Sequence, residues 1–80
     1  MITGDQIRAA RELLGWEPFQ LARRAKLHSA IVQRAESEAP ITKYQEALIR
    51  NALEAAGVEF TNANEPGVKL NAATKARTLK

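Results

Sequence analysis

The side chains able to do chemistry in this 80-residue chain are few in kind. Cysteine is absent and His28 is the single histidine. Thiolate catalysis, disulfides, cysteine-held zinc and a histidine dyad are therefore excluded together. The sequence has no glycine-rich phosphate loop, and no nucleophile, base and orienting group can be assembled, so an enzyme is not expected, nor a cofactor or metal site. What remains is cationic. From Arg8 to Arg34 the chain sets Arg8, Arg11, Arg23, Arg24, Lys26 and Arg34 against Glu12 and Glu17, within a formal net charge of +3. A local excess of guanidinium and ammonium groups favours an acidic partner, and its placement matters more than its total.

Short helices must position these cations. Thr3-Gly4-Asp5-Gln6 fits a capping box, which predicts a helix from about Gly4. Ile7, Ala10, Leu13 and Leu14 recur at helical spacing, and Gly15 can close the helix in a left-handed conformation. Pro18 suits the first turn of a second helix of about two turns, with Leu21, Ala22 and Ala25 as its apolar stripe. Lys26, Leu27 and His28 separate it from a third segment, Ser29 to about Ser37, with Val32 and Ala35 inward. Two short helices joined by a three-residue turn are the first functional signal. After Pro40, Thr42 and Gln45 repeat the capping pair, with Ile41 as a hydrophobic staple. The helix they start draws on Leu48, Ile49, Ala52, Leu53 and Ala56 and stops at Gly57.

Beyond Gly57 the period changes to two. Val58-Glu59-Phe60 and Val68-Lys69-Leu70 alternate apolar with polar around a connector containing Asn62, Asn64, Pro66 and Gly67, and predict two short strands. Paired as a hairpin, they set Val58 against Leu70, Glu59 against Lys69 and Phe60 against Val68. An isolated two-stranded ribbon is barely stable, so the strands either pack on the helices or pair with a second chain. The chain divides into a helical domain over 1–57, a strand extension over 58–70 and a basic tail over 71–80, with Lys75, Arg77 and Lys80, expected to be disordered. No apolar run approaches a membrane span and the N-terminus lacks a signal-peptide pattern, which together read as a soluble cytoplasmic protein. A chain this small buries only about 60% of its unfolded surface, and a partner subunit is one remedy.

IRAARELLGW, then LARRAKL, VQRAE and ALEAAGVEF, in this order from Ile7 to Phe60, resemble the Cro/repressor-type helix-turn-helix proteins, also called the xenobiotic-response-element family. The resemblance implies an all-α fold of four to five short helices with a helix-turn-helix, followed by a C-terminal β-hairpin or dimerisation strand. It implies a sequence-specific regulator of transcription that binds duplex DNA as a homodimer on a palindromic operator. The third helix is then the recognition helix, lying in the major groove with its N-terminal residues at base edges. Carried over by position, Ser29, Ala30, Gln33 and Arg34 are the base-contact candidates, Ile31 lies beside them, and Arg34 suits guanine. Arg8, Arg23, Arg24, Lys26 and Lys43 are the phosphate candidates, which give affinity without sequence information. Arg11 and Glu36 correspond to a family ion pair between the first and third helices. Val58, Phe60, Val68 and Leu70 are the dimerisation candidates.

Four positions depart from the family pattern. Glu17 and Pro18 replace a small hydroxyl cap and a glutamine that grips a phosphate, and Lys26 replaces the small residue of the turn. Glu17 and Pro18 favour an alternative, a protein-binding antiactivator or antitoxin that keeps the fold without specific DNA binding. His28 stands where a hydroxyl cap is usual and reads as an exposed turn residue. Trp16 and Phe19, beside Leu13, Leu14 and Leu21, read as core rather than as a stacking platform. Tyr44 reads as either core edge or phosphate donor.

Overall fold

The computed structural model describes residues 2–61 and 67–70. Within them, four helices, α1 (Gly4–Leu14), α2 (Pro18–Ala25), α3 (Ser29–Glu36) and α4 (Lys43–Ala55), precede a hairpin of β1 (Val58–Thr61) and β2 (Gly67–Leu70). Most of the connector between the strands (62–66) and the tail expected to be disordered (71–80) lie outside the described residues.

The helices begin where side chains can satisfy their first amides. Thr3 Oγ1 accepts from Gln6 N–H at 3.1 Å and Gln6 Oε1 accepts from Thr3 N–H at 2.8 Å. Thr42 and Gln45 make the same reciprocal pair at 3.0 Å in both directions. Helix α2 lacks a hydroxyl cap, yet Pro18 needs no amide partner and Gln20 Oε1 accepts from Glu17 N–H at 2.7 Å. Gly15 ends α1 at φ 70°, in the left-handed conformation that glycine adopts without steric cost.

Each helix contributes one narrow stripe to a single core. Ile7 and Ala10 meet Leu21, Ala22, Ala25, Val32, Ala35, Ile49 and Leu53, all buried. Full burial of a leucine, isoleucine or valine contributes about 1.5–3 kcal/mol. The stripes are too narrow for every apolar residue near them. Leu13 is 44% exposed, because Ile7, Ala10 and Leu14 already form the inward column of α1. Phe19 is 53% exposed rather than core: an eight-residue helix offers one inward stripe, and Phe19 falls off the one made by Leu21, Ala22 and Ala25. Trp16 is half-buried against the core. Tyr44, at 73% exposed, is not a core edge.

Two close approaches fix how α1 sits. A Cβ on Gly4 would lie 2.5 Å from the Glu36 carbonyl oxygen, so only glycine lets the start of α1 meet the end of α3 there. Gly4 N–H donates to Glu38 Oε2 at 2.6 Å, from a residue itself held at φ 62°. Glu46 is buried, accepts from Ile2 N–H at 3.3 Å and lies 3.9 Å from Arg50.

The strands pair within the chain, antiparallel, with Val58 opposite Leu70, Glu59 opposite Lys69 and Phe60 opposite Val68. Val58 enters the helical core at 2% exposed, and Phe60, Val68 and Leu70 pack against its edge. Gln6 Nε2 donates to Gly67 O at 3.1 Å, tying β2 to α1. Among the described residues no helix is long and apolar enough to cross a membrane.

Candidate functional site

Helices α2 and α3 are joined by Lys26, Leu27 and His28. Lys26 adopts φ 59°, ψ 43°, a left-handed conformation that is strained for a residue with a Cβ. What holds it there is the pairing of α2's last carbonyls. Lys26 N–H donates to Arg23 O at 3.2 Å and Leu27 N–H to Ala22 O at 2.9 Å. His28 then caps α3, its Nδ1 accepting from Ala30 N–H at 3.2 Å. A histidine cap is not legible from residue preferences, which rank Ser, Thr, Asp and Asn first.

With Val32 and Ala35 turned inward, helical periodicity leaves Ala30, Gln33, Arg34 and Ser37 exposed on one face of α3. Ala30 lies between Gln33 and Arg34 on this face, and its methyl adds no bulk. The Gln33 side-chain amide makes no hydrogen bond among the described residues. Arg34 Nη2 donates to Pro40 O at 2.9 Å, so its guanidinium is held over the α3–α4 connection and still exposed. Ser29 is half-buried at the first turn.

The cations near α3 are not equivalent. Arg23, Arg24 and Lys26 are exposed. The Arg24 guanidinium carbon lies 4.9 Å from the Trp16 ring centroid, and that of Arg23 lies 6.0 Å from the Phe19 centroid. An aromatic face orients a guanidinium without neutralising it. Lys43, first residue of α4, is exposed with no ion pair among the described residues. Arg8 already has acids to hand: its Nη2 is 3.1 Å from Asp5 Oδ1 and its Nε is 4.0 Å from Glu36 Oε1.

Arg11 and Glu36 do not belong to an exposed face. Arg11 Nε donates to Glu36 Oε2 at 2.9 Å and Nη2 to Oε1 at 3.3 Å, while Nη1 donates to Trp16 O at 2.8 Å. The hydrogen bond to Glu36 raises the Arg11 pKa above the ordinary arginine value, and desolvation opposes the shift. The pair ties α1, the α1–α2 turn and α3 into one body.

The hairpin residues divide similarly. Val58 faces the chain's own core, whereas Phe60, Val68 and Leu70 keep part of their surface in solvent.

Among the described residues no group of three or more His, Asp or Glu could hold a metal ion. Two hollows, of about 180 and 390 Å³, lie beside Ile2 and Glu46 and beside Gln6 and Gly67. Along them Glu38, Glu46, Thr3 and Gln6 already hold backbone groups, and Asp5 holds Arg8. No protein-family model matches the chain, and no curated protein matches it.

Proposed function

We propose that the chain is a helix-turn-helix regulator of transcription that binds duplex DNA, with α3 entering the major groove. The observation that carries this reading is the exposed face of α3, with exposed Arg23, Arg24, Lys26 and Lys43 on the segments that precede and follow it, none of them in an ion pair among the described residues. A narrow helix face of small and amide-bearing side chains fits base edges, and the surrounding cations fit the phosphates. One eight-residue helix spans few base pairs. Useful specificity then calls for a two-fold dimer on half-sites about 34–36 Å apart. Phe60, Val68 and Leu70 keep part of their apolar surface for such a contact. A regulator of this kind works in the cytoplasm.

The test is selection of duplexes from a random pool by the full chain, followed by titration at several salt concentrations. Enrichment of a palindromic sequence, with log affinity falling linearly in log salt, supports the reading. No enrichment and no salt-dependent binding would sink it.

One observation favours a second reading, an antiactivator or antitoxin that binds protein. Glu17, exposed at the N-terminal end of α2, puts negative charge where a phosphate would approach, and exposed Phe19 lies two residues on. Tighter duplex binding by Glu17→Ser than by wild type would support the first reading, and no duplex binding by either chain would support the second.

A further inference from the structure

The α2–α3 turn holds a group that the helix itself does not use up. His28 Nδ1 accepts the Ala30 amide at 3.2 Å, and an imidazole nitrogen that accepts carries no hydrogen. In the neutral ring the proton is therefore on Nε2. The residue is exposed, and Nε2 makes no hydrogen bond among the described residues. Two residues before it, exposed Lys26 offers only donors as well, and no acid lies between Lys26 and Arg34. An Asp at position 28 would satisfy the same amide and leave no donor behind, and a Ser or Thr would leave only a short hydroxyl drawn in against the backbone. Histidine at the cap thus supplies one outward N–H whose direction is fixed by the bond behind it.

We propose that His28 is a DNA-contact residue, donating from Nε2 to an acceptor atom of the duplex. This rests on the DNA-binding reading above. His28 leads α3, and in helix-turn-helix docking the leading end of the second helix is nearest the bases and the flanking phosphates. The shared chemistry is a hydrogen-bond acceptor, either a phosphate oxygen or a base-edge oxygen or nitrogen.

The experiment uses the full chain, a duplex that the wild type selects from a random pool, and a scrambled duplex. His28→Ser keeps a capping oxygen and replaces the far-reaching N–H with a hydroxyl too short to reach the same acceptor; His28→Ala removes both cap and donor. A contact role weakens selected-duplex binding by about three- to tenfold in both variants, with the melting temperature lowered only in His28→Ala. Equal losses on both duplexes assign the acceptor to phosphate; a loss confined to the selected duplex assigns it to a base. A cap-only role would lower affinity in His28→Ala and restore it in His28→Ser, and that pattern overturns the proposal. Because His28 is the single histidine, nitrogen-15 spectra report its tautomer without ambiguity. The Nδ1–H form in the free protein would also overturn it. Failure of the wild type to bind any duplex overturns the functional reading and this inference together, whereas wild-type binding matched by both variants overturns this inference alone.

Discussion

The Arg11 guanidinium meets the Glu36 carboxylate at two points, 2.9 and 3.3 Å, with both side chains largely out of solvent at 14% and 13% exposed. A third donor of the same guanidinium reaches the Trp16 carbonyl. Arg11→Ala leaves the Glu36 carboxylate with only Arg8 near it, and the expected loss of stability is about 1–3 kcal/mol. It is read as a lower urea midpoint at unchanged slope. Arg11→Lys keeps the charge without the fork and should recover only part of the loss. The pKa of Arg11 is raised in the folded chain, so its contribution is fully present below the ordinary arginine range and lost only as pH rises through the raised value. No pH dependence from Arg11 is therefore expected near neutrality. An Arg11→Ala chain as stable as wild type would contradict this account.

Gly4→Ala is expected to destabilise by about 1–3 kcal/mol, since the added methyl would meet backbone oxygen and the helix ends would have to part. Thermal melting checks this directly. A neutral or stabilising result, as ordinary helix propensity would give, would show that the α1–α3 approach is looser than 2.5 Å implies.

Lys26→Gly separates conformation from charge. Relief of the left-handed backbone at φ 59° should raise stability by about 1 kcal/mol. On the proposed reading, loss of the ammonium removes one phosphate contact and makes the salt slope shallower by about 0.9. Higher stability with an unchanged slope would leave Lys26 outside the DNA interface.

Arg34→Ala should weaken binding to a preferred site by about 1–3 kcal/mol and relax preference at one base pair per half-site. Folding should change little, because the bond to Pro40 O is exposed. A base-by-base binding profile unaltered by the substitution would remove Arg34 from the readout and leave it as a brace of the α3–α4 connection.

Much of this architecture was readable from local signals. The Thr3–Gln6 and Thr42–Gln45 pairs each mark a helix start within one turn of chain, and Gly15 marks an end; the alternation around Val58 and Val68 carries the strand register. Residues whose role depends on a distant segment were not readable. Gly4 has no local reason to be glycine, Glu38 looks like a surface acid, and Glu46 sits in a helix's first turn where acids are common. Their partners lie 32 to 44 residues away, and no window on the sequence contains both ends. Phe19 was misread for the opposite reason. Aromatic type suggests core, but the width of a two-turn helix decides what fits, and Leu21 and the two alanines occupy that width. His28 is exposed in the turn as its position suggests, but its capping bond is not legible, because cap preferences rank side chains by frequency and do not register an imidazole nitrogen in the right place.

The bond from Gln6 to Gly67 spans 61 positions of sequence. It joins the first helix to the last strand, and Val58 completes the helical core from the other strand. The hairpin is therefore part of the same folding unit as the helices. Closing so long a loop costs only a few tenths of a kcal/mol more than closing one somewhat shorter. Trp16 fluorescence and helical circular dichroism should then lose signal in one coincident transition, as two-state behaviour requires. A helical signal that outlasts the hydrogen-exchange protection of the strand amides would reveal a body able to stand without its hairpin.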